Sequence, residues 1–415
     1  MKPGTSPFAA LKHGNFRIFL TGQCFSLVGV WMQRMAMSWL VLRTTDSVGN
    51  VGLIELLNQA PVFIVGLFSG VVLDRFNTRT VLWITQALIL LQSIALTFLV
   101  HSGEIEFGHL IAISLFLGIV NSLDQPARQA CVPQTIDGKD LLPSALSLNS
   151  VVFNLARILG PSLAGFVIHK WGEGGCFAVN SAAFLAALGL IAMLRLPKRD
   201  IDAERTPVWN SIRDGVSYIA HTRVIVTMLI VFFMFNFSCV PYVVLLPAYA
   251  KNVLHGTSQL LGVFLGAIGV GSIFGVIILA VCVPLRRITA YMGCALLVSG
   301  CAFFAFSYSR NIPLSIACLV AFGFGSTSAA VANNTLIQAL VSERYRGRVM
   351  SFFVMGTMGF GPIGSLCVGH IADAFSEHAA AVFCAACAFA TGALLLKLRK
   401  GMTPEVDAIL RERGL

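Results

Sequence analysis

Twelve apolar runs, each of about 20 residues or more, follow one another along this chain and leave little room for anything but a membrane protein. They fall near residues 16–41, 48–72, 80–100, 107–126, 144–168, 175–195, 224–247, 259–282, 289–308, 312–332, 349–372 and 378–397. Inside a bilayer each backbone N–H and C=O must be satisfied within its own segment or in a closed barrel, so runs of this length are helices. Only 12% of the residues are charged, against about 25% in a soluble domain. The expected fold class is an all-α membrane protein of about twelve transmembrane helices.

The formal charge of +10 does not mark a nucleic-acid binder, because the basic residues sit in short loops and form no single stripe. Their distribution sets an orientation instead. With both termini inside, cytoplasmic segments hold 23 of the 29 Lys and Arg residues, and the outer loops only Arg43, Lys170, Lys251 and Arg310. The positive-inside rule therefore predicts a multi-pass protein of a bacterial inner membrane with both termini cytoplasmic. Met1 to His13 leads into an apolar run too long for a cleavable signal, so the first span is read as retained. Most of the eleven cysteines, such as Cys24, Cys239, Cys294 and Cys318, lie inside spans and read as small core residues. Cys384 and Cys387 form one C-x-x-C with no His nearby in sequence, so no metal site and no cofactor is expected.

The chain divides near its middle. Gly160-Pro161 in the fifth run has a counterpart in Gly361-Pro362 in the eleventh, 201 residues on. This predicts two pseudo-symmetric six-helix bundles around a central pathway, at 1–196 and 224–397. A cytoplasmic linker, 197–223, joins them, and a tail, 398–415, follows. Thr206-Pro207 reads as an N-cap with proline in the first turn, opening an amphipathic helix with Trp209, Ile212, Val216 and Ile219 on one face. Thr403-Pro404 repeats the pattern before Glu405 to Arg413.

Between the second and third runs stands Gly70-Val-Val-Leu-Asp74-Arg75-Phe-Asn-Thr-Arg79. It resembles the loop signature of the major facilitator superfamily, Gly-x-x-x-Asp-Arg-x-Gly-Arg-Lys/Arg, with Asn77 and Thr78 as departures. Gly70 is expected to allow close packing and Asp74 to cap a neighbouring helix N-terminus. The equivalent loop of the second half has Arg286 and Arg287 but no Asp. Further stretches are Gly29-Val-Trp31-Met-Gln33-Arg34, Asn121-Ser-Leu-Asp124-Gln-Pro126-Ala-Arg128, Asn154-Leu-Ala-Arg157-Ile-Leu-Gly160-Pro161 and Arg346-Gly347-Arg348. In this order they resemble the branch that holds enterobactin exporters and macrolide efflux pumps, the transmembrane secretion effectors. The resemblance covers nearly the whole chain. It implies the major facilitator fold and proton-linked efflux of a small molecule, siderophore or drug-like, by alternating access. The protons, the small-molecule substrate and the lipid bilayer are then the partners, and nucleic acid is not one.

Charged side chains inside spans are costly and mark function by default. Two clusters are expected. Asp74, Arg75, Arg79, Asp124 and Arg128, with Gly70, form a cytoplasmic gate locked by ion pairs. Arg34, Glu55 and Arg157, with Gln33 and Asn154, border the cavity, where Glu55 is the candidate coupling group and Arg157 the candidate substrate contact. Each cluster has a plainer reading as a buried pair that only fixes helix packing. Gly160, Pro161, Gly361 and Pro362 are expected to bend or seal their helices. In the second half Asn236, Asn333, Asn334 and Gln338 are the polar candidates, and Phe232, Phe233, Phe235 and Phe237 read as packing residues. The motifs leave direction open, so uptake of a metabolite and lipid translocation stand beside export. A non-transport membrane partner would need no gate loop. No phosphate-cradling Gly-rich loop and no hydrolase motif occurs, which disfavours an ATP-driven pump and an enzyme.

Overall fold

A computed structural model describes residues 8–196 and 216–412, apart from the side chains at 67, 68, 71, 74, 139, 343 and 344. Its helices are α1 (Gly14–Thr45), α2 (Val48–Arg75), α3 (Thr78–Ser102), α4 (Phe107–Gln134), α5 (Leu142–Met193) and α6 (Arg223–Cys239). They continue with α7 (Tyr242–Ala248), α8 (Ser258–Cys282), α9 (Ile288–Tyr308), α10 (Ile312–Leu340), α11 (Glu343–Ala374) and α12 (Glu377–Glu412). Eleven stretches are long and apolar enough to cross a bilayer. One of them, α5, has 52 residues. At 1.5 Å per residue that is about 78 Å, more than twice the hydrocarbon thickness. Gly172 breaks it with φ 71° and ψ 178°, a conformation that costs glycine least. The eleven stretches are therefore twelve crossings, and the protein is a multi-pass membrane protein.

The predicted boundaries differ from the helices chiefly where the chain leaves the bilayer. Hydropathy ends a span at the headgroups, but a helix continues while its backbone bonds do. Thus α4 passes through Pro126 and Pro133 to Gln134, and α10 runs to Leu340. The seventh crossing is interrupted instead. Pro241 lacks an amide hydrogen, and α6 stops at Cys239 before α7 starts at Tyr242. The connections from α2 to α3, α4 to α5, α8 to α9 and α10 to α11, with the helix turns beside them, are rich in basic residues, among them Arg75, Arg79, Lys139, Arg286, Arg287, Arg346 and Arg348; their side is called the basic face below.

Two compact units emerge. The first comprises Met1–Asp46, Leu57–Asp202 and Gly256–Gly266. Its central helix is α1, which buries Phe16, Phe19, Gln23, Ser26, Gly29, Gln33, Ala36 and Leu40 at helical spacing. Toward the basic face Phe16, Phe19, Leu82, Cys131, Ile191 and Leu194 form an apolar core. Toward the other face, Arg43 Nε donates to Glu173 Oε1 at 2.7 Å, fixing the end of α1 beside the Gly172 break.

The second unit comprises Ser47–Leu56, Ala203–His255 and Ala267–Leu415. Its core joins Val224, Met228, Leu336, Leu340, Val349, Phe353 and Leu395. The tail corrects one expectation. Thr403 is not an N-cap; α12 continues unbroken through Pro404, and Thr403 Oγ1 donates to the Arg399 carbonyl at 2.8 Å. Met402, Val406 and Leu410, one turn apart, are buried in that core. The amphipathic face expected of the tail covers protein, so it has no membrane surface to seek. The expected linker helix from Thr206 falls mostly outside the described residues; within them, Val216 is exposed and Ile219 packs on the same core.

Candidate functional site

The loop from Gly70 to Arg79 shows why its departures from the signature are tolerated. Asn77 is the N-cap of α3, and its Oδ1 accepts from the Arg79 amide at 2.9 Å. Arg79 then reaches across to the far end of α5. Its Nε donates to the Ile191 carbonyl at 3.3 Å and its Nη2 donates to that of Ala192. A cation on the last carbonyls of a helix satisfies orphan acceptors and the helix dipole together. Arg75 is exposed and makes no hydrogen bond or ion pair among the described residues, and the Asp74 side chain lies outside them. The close packing expected at Gly70 is absent: a Cβ there meets nothing within 4 Å.

Asp124 and Arg128 do not join this loop. Because α4 extends to Gln134, Asp124 lies ten residues, about 15 Å, inside its end rather than the two residues its predicted span implied. It is 3% exposed. Oδ1 accepts from Thr85 Oγ1 at 2.7 Å and Gln86 Nε2 at 2.8 Å. Oδ2 accepts from Arg128 Nε at 2.5 Å. Arg128 Nη1 donates to Ser26 Oγ at 2.8 Å and to Gln23 Oε1. This buried ion pair staples α1, α3 and α4 inside the first unit, and is spatially distinct from Arg79.

A second polar knot lies deeper. Gln33 is 4% exposed and donates through Nε2 to Gln92 Oε1 at 2.9 Å. Asn180 Nδ2 donates to Gln33 Oε1 at 2.5 Å and to Ser93 Oγ at 3.0 Å. Gly29 makes room, since a Cβ there would run into Asn180 Oδ1. Gln33, expected to border the cavity, is therefore committed to holding α1, α3 and the second half of α5 together. The partners Gln23, Ser26, Thr85, Gln86, Gln92, Ser93 and Asn180 escaped the sequence reading, which scanned spans for charge. Their signal was there: uncharged polar residues recurring in α1 and α3 at matching depths.

Trp31, Arg34, Phe153, Arg157 and Gly160 fall along the wall where α1 meets α5. A Cβ at Gly160 would lie 2.6 Å from Trp31 Cβ and 3.1 Å from the Val28 carbonyl. Phe153, two turns earlier, meets Trp31 edge-on with centroids 6.1 Å apart. Arg34 lies over the Trp31 ring at 5.4 Å. Arg157 falls between Phe153 and Gly160 on the same stripe of α5, fifteen residues from both Leu142 and Gly172. It is half-buried at mid-span and makes no hydrogen bond or ion pair among the described residues. Asn154 is exposed, with Nδ2 donating to its own helix at the Ser150 carbonyl, 2.8 Å. Glu55 is 6% exposed, seven residues into α2, about 10 Å from its start. A guanidinium with no partner among the described residues is chemically suited to a planar or carboxylate-bearing anion.

Below this wall the expected seal takes the form of backbone contact. A Cβ at Gly165 would lie 2.8 Å from the Ser258 carbonyl, and one at Gly262 would lie 3.0 Å from that of Pro161, so α5 and α8 touch along small residues. Neither Pro161 nor Pro362 interrupts its helix. In the second unit a Cβ at Gly361 would meet Val240 only at 3.2 Å, whereas one at Gly364 would strike the Phe237 carbonyl. Phe232 stacks on Phe353 at 3.7 Å and Phe233 on Phe360 at 4.7 Å, as packing residues should. Asn236 and Asn333 donate to the carbonyls of Phe232 and Met228, and Gln338 donates to Asn334.

Among solved structures, the fold is similar to a POT family transporter in complex with 5-aminolevulinic acid, with a TM-score of 0.75 at 10% identity over 95% of this chain and 97% of that one. It is also similar to a bacterial homologue of the human lysosomal transporter Spinster in an inward-facing, occupied conformation, with a TM-score of 0.71 at 12% identity over 99% of both. This is the major facilitator fold. Residues 5–412 match the transmembrane secretion effector family, and the chain belongs to it. Among its relatives are the staphyloferrin A transporter of Staphylococcus aureus (strain NCTC 8325 / PS 47), 24% identical over 86% of this chain and 90% of that protein, and the multidrug efflux pump Tap of Mycolicibacterium fortuitum, 26% identical over 89% and 91%.

Proposed function

We propose that this protein is a proton-coupled exporter of a small anionic molecule, siderophore-like or drug-like, working by alternating access in a bacterial inner membrane. The observation that carries the reading is Arg157: a half-buried guanidinium at mid-span, unpaired among the described residues and one turn from Phe153, whose ring meets Trp31. A charge is costly at that depth, and one without a protein partner is best explained by a ligand that brings the counter-charge. The relatives named for staphyloferrin A and for multidrug efflux support a small-molecule cargo. Glu55, a carboxylate 6% exposed and seven residues into α2, is the proton-linked group, since an acidic side chain buried within a span marks function by default. Gly70, Asp74, Arg75 and Arg79 work the cytoplasmic gate.

The basic face lies in the cytoplasm with both termini. Reporter fusions at Lys198 and Lys400 are expected to read cytoplasmic and one at Lys251 periplasmic; opposite readings at Lys198 and Lys400 would break the six-plus-six arrangement. The function itself is tested by metabolite profiles of cells and medium with and without the protein. Export predicts an acidic compound that is lost from the medium and retained in cells when the protein is removed. A compound depleted from cells instead would make it an importer.

A further inference from the structure

The start of α2 is held by a residue 325 positions away. Asp373, in the last turn of α11, accepts from the Val48 amide through Oδ1 at 2.7 Å, and from the Gly49 amide at 3.0 Å and Ser47 Oγ at 2.5 Å through Oδ2. Ser47 Oγ in turn accepts from the Asn50 amide at 3.1 Å. The first three amides of α2 would otherwise be orphans. A helix usually satisfies them with a residue at its own N-cap. Here the local serine supplies one acceptor, and a distant carboxylate supplies the other two.

Directly beneath, the two helices meet backbone to backbone. A Cβ at Gly369 would lie 2.7 Å from the Val48 carbonyl and 2.9 Å from Gly49 Cα. A Cβ at Gly52 would lie 2.5 Å from the Ser365 carbonyl. Ser365 is fully buried at 0% exposure, in the middle of the seam. Through these contacts Ser47–Leu56 groups with the unit built largely from the second half of the chain, whereas Leu57 onward groups with the first. One helix is thus divided between the two units, and its start is fastened by contacts that need no covalent or apolar rearrangement to release.

We propose that Asp373 is a positioning residue for transport: with Gly49, Gly52 and Gly369 it forms a latch on the face opposite the basic loops, closing the α2–α11 seam in one conformation and releasing it in the other. Alternating access requires each face to part in turn. A seam of glycine backbones with no interlocking side chains separates cleanly, and a carboxylate on three donors supplies a specific closed position.

The test reads the seam and not the cargo, so it stands apart from the identity or direction of the substrate. Ser365→Cys is nearly isosteric. In intact cells its modification by a membrane-impermeant maleimide is followed at that peptide by mass spectrometry, with the parent protein and its eleven cysteines as baseline. The latch predicts slow but complete labelling when Asp373 is present, and labelling about 10-fold faster with Asp373→Ala, since three hydrogen bonds to a charged acceptor are lost. Asp373→Asn, which keeps the shape and one acceptor oxygen, should fall between and guards against a folding defect in the alanine variant. Equal rates in all three backgrounds, or a Ser365→Cys that never reacts in any of them, would overturn the proposal.

Discussion

Arg128→Ala destabilises the protein by about 3–5 kcal/mol, the range for removing one partner of a buried ion pair. The argument starts from what the mutation leaves behind. Asp124 is 3% exposed and would keep Thr85 and Gln86 as donors, but it would lose its cationic partner among the described residues. Gln23 and Ser26 on α1 would lose their donor in the same step. The stapling of α1 to α4 therefore fails at two points. A double variant, Asp124→Asn with Arg128→Gln, should recover much of the loss, because hydrogen bonds of the same reach replace the charges. Thermal unfolding of the purified protein in detergent separates the cases: a midpoint several degrees lower for the single variant and close to wild type for the double. If the single variant melts like wild type, the pair does not hold the bundle. If it is stable yet inactive, the plainer structural role fails and the gating role first expected of these residues returns.

Arg157→Ala is expected to weaken the apparent affinity for cargo by about 10–100-fold, in line with a charge-assisted hydrogen bond worth about 1.5–3 kcal/mol. Folding should be intact, because Arg157 makes no hydrogen bond or ion pair among the described residues that its removal would break. Arg157→Lys keeps the charge but not the planar fork, so it should rescue only in part. Glu55→Gln tests the other half of the site. It removes the titrating group from a buried position and should leave binding measurable while abolishing dependence on a pH gradient. The split is diagnostic: the Arg157 substitution acts on affinity and the Glu55 substitution on drive. A Glu55→Gln protein that still follows the gradient at the wild-type rate would remove Glu55 from the coupling role.

Much of this fold was legible in the sequence because membranes impose a simple rule, and hydropathy reads it. What hydropathy could not supply was the length of helix outside the bilayer. That omission placed Asp124 beside the Gly70–Arg79 loop, when the extra turns of α4 carry it well below Arg79. The uncharged partners in the two polar knots are illegible for a different reason. Gln33, Gln92, Ser93 and Asn180 carry no charge, so nothing in a charge scan separates a buried amide from a lipid-facing one; only the third dimension brings Asn180 to Gln33 across 147 residues. Nothing in the local sequence singles out Asp373, since its partners lie at the other end of the chain. Arg157 was identifiable because an Arg in the middle of an apolar run has no ordinary explanation.

The central claim, proton-driven export through the basic face, is tested most directly by everted inner-membrane vesicles. In these the basic face would lie outside, and a respiratory substrate acidifies the lumen. The compound identified by metabolite profiling is added outside, and its accumulation is followed with the gradient present and after collapse by a protonophore. The account predicts accumulation against concentration that requires the acid lumen and vanishes with Glu55→Gln. Accumulation at an unchanged rate after the gradient has collapsed, or uptake only into right-side-out vesicles, would contradict it.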